Sequence, residues 1–334
     1  MGANTKIEWT DATWNPLRGC SRVSEGCRNC YAERDALRWS GDGQPFEGLA
    51  VLKNGHASWT GKVEFIEKHL LDPLRWRPGR PIYDAETGKI VGRDPAQSLR
   101  IFVNSVSDLF HESVPDEWID RIFAVMALCP QHTFQCLTKR PERMLAYMES
   151  RSRSASFWKA AVPTGWTLED FNGIKMVPFP LPNVWLGTSV ENQDAADERL
   201  PILAKVPCRV RFVSCEPLLG ALDITRWISR DAIRKAGGSW TSEQIDWAIC
   251  GGESGPGARP MNPDWVRSLI QQCAAAGVPF FFKQWGEWAP GSGPDPRKEI
   301  PIHSSGTGLM HRAGKKAAGA LLDGVEHKAF PVAR

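Results

Sequence analysis

Leu99-Arg-Ile-Phe-Val103, followed at once by Asn104-Ser-Val-Ser-Asp108, opens a grammar that the rest of the chain repeats. A short run of apolar, β-branched and aromatic residues ends in polar residues or glycine, and an amphipathic stretch follows. That is the pattern of a strand feeding a helix. The spacing predicts a helix over 115–128, with Pro115 or Asp116 at its start. A strand over 133–137 and a helix from Thr138 to about Glu149 come next. Further strands are expected over 183–187, 209–213, 247–250 and 278–282, with helices over 192–205 and 263–276.

Strands that alternate with helices imply a parallel sheet joined by right-handed crossovers. Six such strands, plus a short one over about 13–17, point to an α/β fold of the open or partial (β/α) barrel kind. A doubly wound open sheet is the competing arrangement. Either way the site belongs at the C-terminal ends of the strands. The barrel is expected over 1–288, with insertions at about 40–98, 151–182 and 228–245, and an extension over 289–334. The first insertion should hold a hairpin around Glu86-Thr-Gly88. The Gly- and Pro-rich stretch 289–301 reads as a loop.

The whole chain sets outer bounds. Its 334 residues are 42% hydrophobic and 24% charged, values that allow a sizeable buried core. No run of eighteen apolar residues occurs, which excludes a membrane-spanning helix. The N-terminal stretch lacks a signal-peptide pattern, so a cytoplasmic location is expected. A net charge of +3 permits a nucleic-acid partner without arguing for one. Nine cysteines in such a chain should be reduced thiols. Fifteen tryptophans are many; most should be packing residues, while Trp9, Trp14, Trp59, Trp76, Trp285 and Trp288 are candidates for lining a cleft.

Three cysteines fall within eleven residues, in Gly19-Cys20-Ser-Arg-Val-Ser-Glu-Gly-Cys27-Arg-Asn-Cys30-Tyr31. The spacers are polar and contain Gly26, unlike a buried strand or helix, so a metal role is favoured. A structural zinc site needs four ligands, and no second Cys pair or Cys/His pair lies nearby. A [4Fe–4S] cluster held by three thiolates leaves one iron open for a ligand. The cluster is the preferred reading, with zinc as the alternative.

A three-cysteine loop after a first short strand, followed by βα units, resembles the radical S-adenosylmethionine (SAM) superfamily, whose usual spacing has three residues in the first gap where this chain has six. More narrowly, the chain is similar to a phage- and prophage-associated family of radical-SAM-like proteins long labelled a domain of unknown function. The matching phrases include Thr5-Lys-Ile-Glu-Trp-Thr-Asp-Ala-Thr-Trp-Asn-Pro16, Gly26-Cys-Arg-Asn-Cys-Tyr-Ala-Glu33, Phe102-Val-Asn-Ser-Val-Ser-Asp-Leu-Phe-His111, Gly187-Thr-Ser-Val-Glu-Asn192, Ser214-Cys-Glu-Pro-Leu-Leu-Gly220 and Phe282-Lys-Gln-Trp-Gly286.

The resemblance implies Cys20, Cys27 and Cys30 as cluster ligands and SAM as cofactor. It also implies an external electron donor and a 5′-deoxyadenosyl radical that abstracts hydrogen. Asn104, Ser105, Ser107 and Asp108 occupy the place that typically receives the SAM amine, with Asp108 the best acceptor. Lys139 and Arg140 could meet the SAM carboxylate or a substrate phosphate, and Ser189, Glu191 and Asn192 suit ribose hydroxyls. Glu216, Glu253 and Lys283 at other strand ends are the candidate catalytic groups, with Gln284 and Trp285 facing substrate. The phage association suggests a nucleotide or nucleic-acid substrate, and an isomerase acting in thymidine hypermodification of DNA. A metal-stabilised nucleic-acid-binding protein and a peptide-modifying radical enzyme are the alternatives. In the tail, His311, Arg312, Lys315 and Lys316 read as a mixed, solvated helix rather than a phosphate-binding patch.

Overall fold

The computed structural model describes residues 5–84, 87, 90–94, 96–151, 179–229, 244–301 and 308–331. Its centre is a seven-stranded sheet: β1 Ala12–Trp14, β2 Leu99–Val103, β3 His132–Thr138, β4 Val184–Ser189, β5 Val210–Cys215, β6 Trp247–Gly251 and β7 Phe280–Gln284. The strands lie side by side in chain order. The registers Ala12↔Ile101, Leu99↔His132, Phe212↔Trp247 and Ala248↔Phe280 are all parallel. A doubly wound sheet reverses its order at a switch point. This one does not, so the order is that of a partial barrel, with no β1–β7 pairing among the described residues.

The strands of this sheet are buried on both faces, as parallel sheets require. All five residues of β2 and of β6 are buried, and all six of β5. The helices begin and end where local chemistry dictates. Helix α1 spans Tyr31–Arg38, α2 Asp116–Leu128, α3 Pro141–Arg151, α4 Gln193–Leu203 and α5 Pro263–Ala276. Pro115 precedes α2, and Asp116 and Glu117 place negative charge in its first turn. The Asn192 side chain accepts the Ala195 N–H at the start of α4. Asn262 accepts the Asp264 N–H at the start of α5, and Gly277 ends that helix in the left-handed region at φ 65°.

Four expectations need correction. The strand over 13–17 is two pieces: β1, and Leu17–Arg18, which pairs antiparallel with Glu64–Phe65. Pro16 has no N–H to donate to a ladder, so the strand breaks there. The last strand lies two residues further on, which puts Lys283 and Gln284 inside it. The stretch 289–301 is not a loop throughout. Trp288–Pro290 and Glu299–Pro301 both pair antiparallel with Leu309–Arg312, a non-local pairing that local composition hides. His311 and Arg312 therefore stand on a strand, and only Lys315 and Lys316 begin a short helix, Lys315–Ala318.

The first insertion contains the expected hairpin, Arg80–Tyr83 with Ile90–Asp94, although most of its turn lies outside the described residues. A second hairpin, Ala50–Lys53 with His56–Trp59, turns on Asn54 and Gly55 at φ 51° and 76°. Positive φ at both positions is what a two-residue type I′ turn requires. Most of the insertions 151–182 and 228–245 lies outside the described residues. Of the cleft candidates, Trp9, Trp14, Trp59 and Trp285 are buried packing residues.

The chain groups into two compact units. The first is Met1–Arg22, Ala32–Gly187 and Val206–Val210; the second is Val23–Tyr31, Thr188–Lys205 and Arg211–Arg334. In the second unit the tail covers the outer edge of β7. Phe282 N–H donates to His327 O at 2.7 Å, Ala329 N–H donates to Phe280 O, and the Trp247 and Trp285 indoles donate to Ala329 O and Leu321 O. An edge strand left bare would invite pairing with another chain. Among the described residues no helix is long and apolar enough to cross a membrane.

Candidate active site

In the first unit the site begins where β1 and β2 end. Asn104 sits at φ 62°, in the left-handed region that asparagine tolerates. Its N–H donates to Trp14 O, and its Oδ1 accepts the Leu17 N–H. Asn15 Oδ1 accepts from Ser105 Oγ and the Val106 N–H, while Ser107 Oγ donates to Leu17 O. Backbone N–H groups thus fix which way both amides point. The Asn15 and Asn104 Nδ2 groups are left buried without a partner, a state that ordinarily calls for a bound acceptor.

Asp108 is 6% exposed. Its Oδ1 accepts from the Phe110 N–H at 3.0 Å and Thr138 Oγ1 at 2.7 Å. Its Oδ2 accepts from the Lys139 N–H at 3.3 Å and Arg140 Nη1 at 3.0 Å. Both carboxylate oxygens are occupied, so a ligand ammonium would have to displace one of these donors. The Lys139 side chain pairs with no carboxylate among the described residues.

Arg140 reaches the cysteine run. Its Nη1 lies 4.0 Å from Cys20 Sγ, its Nη2 donates to Ser21 O and to Ser21 Oγ at 2.7 Å, and its Nε donates to Glu112. Burial works against the guanidinium charge. Asp108, Cys20 and Glu112 outweigh it and push the Arg140 pKa above its ordinary value. His111 is buried and accepts the Ser113 N–H at Nδ1, so Nε2 carries the proton and donates to Ser21 Oγ at 2.8 Å. Burial, and then the Arg140 charge, lower the His111 pKa and keep the ring neutral.

In the second unit Cys27 and Cys30 share a tight turn. Cys27 N–H donates to Ser24 O and Cys30 N–H donates to Cys27 O, around the short 3-10 helix Glu25–Cys27. Glu253, 5% exposed, accepts from Arg259 at both oxygens, from the Arg259 N–H and from Asn29 Nδ2. Burial raises the Glu253 carboxyl, but those donors outweigh it and leave its pKa below the usual carboxylate range. Glu191 accepts the Gly26 N–H at 3.3 Å and Arg199 Nη1 at 3.1 Å. Ser189 is buried, and its carbonyl takes the same guanidinium at 2.8 Å. Neither carboxylate stands open toward solvent.

Glu216 and Lys283 form a different pair. Their charged ends are 2.9 Å apart and both side chains keep some exposure. A Cβ on Gly251 would lie 2.5 Å from Glu216 Oε1, so a side chain there would push the carboxylate away from its place at the end of β6. Gln284 Nε2 donates to Ser254 Oγ beside them.

No disulfide joins the nine cysteines. Cys20, Cys27 and Cys30 are half-buried, as is Cys208, whereas Cys129, Cys136, Cys215, Cys250 and Cys273 are fully buried. Burial pushes the Cys129 and Cys273 thiols up to about 12, which makes them inert packing groups. Soft thiol donors on a polar, glycine-containing turn, with a guanidinium beside Cys20, suit an iron–sulfur group in ligand chemistry. Among the described residues no three Cys, His, Asp or Glu side chains stand grouped as a metal would hold them.

Sequence reasoning missed the arginines that tie these groups together, Arg199 and Arg259, and with them Asn29, Ser21 and His111. Arg259 is only six residues from Glu253, but nothing in that spacing reveals that it also reaches Glu25.

The model of a family described as a protein of unknown function (DUF5131) matches residues 4–331. The chain belongs to the DUF5131 family. In DUF5131 terms the match spans both compact units and all seven strands of the sheet. No curated protein and no solved structure matches the chain.

Proposed function

We propose that this chain is a radical SAM enzyme acting on a nucleotide or nucleic-acid substrate, with Cys20, Cys27 and Cys30 as the ligands of a [4Fe–4S] cluster. The observation that carries the reading is the placement of the cysteine run. It follows the C-terminal end of β1, the edge where parallel α/β proteins place their sites. Its thiols are half-buried, while five of the other six are deep.

With SAM and an electron from an external donor, such a cluster supplies a 5′-deoxyadenosyl radical able to abstract hydrogen. The chain's own residues position and shield. Arg140 sets a fixed positive charge beside Cys20. The unpartnered Asn15 and Asn104 amides offer two buried donors to an acceptor-rich group such as the SAM carboxylate. Lys139 provides a cation for a carboxylate or phosphate, and the Ser189 hydroxyl remains a candidate for ribose. The Glu216–Lys283 pair can hold or move a proton at Glu216 Oε1 as substrate rearranges, which suits an isomerase acting on a modified nucleotide.

The test is metal content. Anaerobic reconstitution with iron and sulfide should load the wild-type protein. Replacing Cys20, Cys27 and Cys30 together by alanine should abolish loading, whereas Cys129→Ala and Cys273→Ala should not. Iron retained by the triple variant sinks the ligand assignment, and zinc bound in place of iron turns the reading to a metal-stabilised binding protein.

A further inference from the structure

Glu253, Arg259 and Glu191 all converge on one short piece of chain, the turn that carries Cys27 and Cys30, and Arg199 holds Glu191 from behind. That turn has little to hold it locally. Its 3-10 helix has three residues, none buried, and its N-cap Ser24 makes no side-chain capping bond. Helical pieces this short do not persist alone.

The support comes from two strand ends. Beyond β6, Arg259 Nη1 donates to Glu25 Oε1 at 2.7 Å and Nη2 to Glu25 O at 3.0 Å. The same guanidinium forks onto Glu253 at 2.6 and 3.0 Å. Asn29, between the two cysteines, donates through one Nδ2 to Glu253 Oε2 and Gly257 O, both at 2.9 Å. Beyond β4, Glu191 takes the Gly26 N–H and is itself held by Arg199. Residues 25, 26 and 29 are therefore each pinned.

The fit is close. A Cβ on Gly26 would sit 3.0 Å from the Glu191 carboxyl carbon, and one on Gly257, at φ 75°, would sit 3.3 Å from Asn29 Oδ1. A side chain at Gly26 would press on the Glu191 carboxylate, and Gly257 also needs the left-handed backbone that glycine adopts most readily.

We infer that Glu253, Arg259 and Glu191 are positioning residues, which hold in place the turn that carries Cys27 and Cys30, two of the three proposed iron ligands, before metal arrives. The inference rests on the iron reading above, and it replaces a catalytic role for Glu253 and a ribose role for Glu191. Outer partners of this kind ordinarily change metal affinity by about tenfold to a hundredfold.

The experiment uses the full chain. Arg259→Ala removes the bridge between Glu25 and Glu253. Arg259→Lys keeps the charge but cannot span both carboxylates. Arg267→Ala, an exposed arginine paired with Asp264 and Asp323 on the same unit, is the control. Hydrogen–deuterium exchange is followed over residues 23–31 in iron-free protein, and iron affinity is then measured anaerobically. Arg259→Ala and Arg259→Lys should lose protection over that segment and bind iron about tenfold or more weaker, while Arg267→Ala matches wild type. Unchanged exchange, or unchanged iron affinity in a loosened turn, overturns the inference. Failure of wild type to bind any iron, with the turn still loosened by Arg259→Ala, would instead strike the iron reading itself.

Discussion

Asp108→Ala separates a structural carboxylate from a cofactor-binding one. Asp108 accepts four hydrogen bonds from within the first unit and pairs with Arg140, whose side chain is 11% exposed. Removing one partner of a buried ion pair costs about 3–5 kcal/mol, because the other charge is left without compensation. Arg140 keeps Glu112 and Ser21, so the cost should lie near the lower end, about 3 kcal/mol. At roughly 2 °C per kcal/mol for a chain of this size, the melting temperature should fall by about 6 °C. Glu112→Ala removes a second partner of the same arginine, but that carboxylate is 66% exposed, and an exposed pair is worth about 0–1 kcal/mol. Thermal unfolding of iron-free protein, followed by circular dichroism, reads both. If Asp108→Ala melts with wild type, or Glu112→Ala costs as much, Asp108 does not hold the end of β2 as described.

Three further outcomes follow from the same structure. Burial raises the Asp11 carboxyl, but hydrogen bonds and charge from Arg100 outweigh it and lower its pKa. A depressed carboxylate contributes stability above its unfolded pKa of about 3.9, and that contribution fades as pH falls through the folded value. Urea unfolding should therefore show Asp11→Asn less stable than wild type at pH 7, with the gap closing below about pH 4; a gap that widens in acid refutes the sign. Native-state alkylation at pH 8 should label Cys20, Cys27 and Cys30 and spare Cys129 and Cys273, whose thiols sit at about 12; peptide mass spectrometry showing the reverse would contradict the burial pattern. Deleting the chain after Gly319 strips the partners of Phe280 and Phe282 from the edge of β7 and should drive self-association in light scattering, whereas a monodisperse product would show that the tail does not protect that edge.

Much of the fold was legible because parallel strands are written as local apolar runs. Leu99–Val103 and Pro263–Ala276 match their expected bounds, since burial on both faces and a Pro start with a Gly stop leave plain marks. Asn54-Gly55 is itself a type I′ hairpin signal between the strands Ala50–Lys53 and His56–Trp59, and Pro16 marks the break between Ala12–Trp14 and Leu17–Arg18. The small sheet around Leu309–Arg312 was not legible, because its pairings join segments far apart in the chain.

The site was legible in its residue types and less so in their partners. Glu253 and Glu191 stood out as carboxylates at strand ends. Their engagement by Arg259, Asn29 and Arg199 is a tertiary fact that spacing does not encode. Asp108 likewise carries a signature of its own, an Asx turn to Phe110, but its pairing with Arg140 crosses from one strand end to the next. Lys283 and Glu216 lie at the ends of different strands, 67 residues apart in sequence, and the structure brings them into one pair.

The most direct measurement is whether the reconstituted protein splits SAM. With iron and sulfide loaded anaerobically and a strong reductant present, it should release 5′-deoxyadenosine, and the variant lacking Cys20, Cys27 and Cys30 should release none. Iron-loaded protein that leaves SAM intact, with and without nucleotide or DNA substrates, would contradict the radical mechanism.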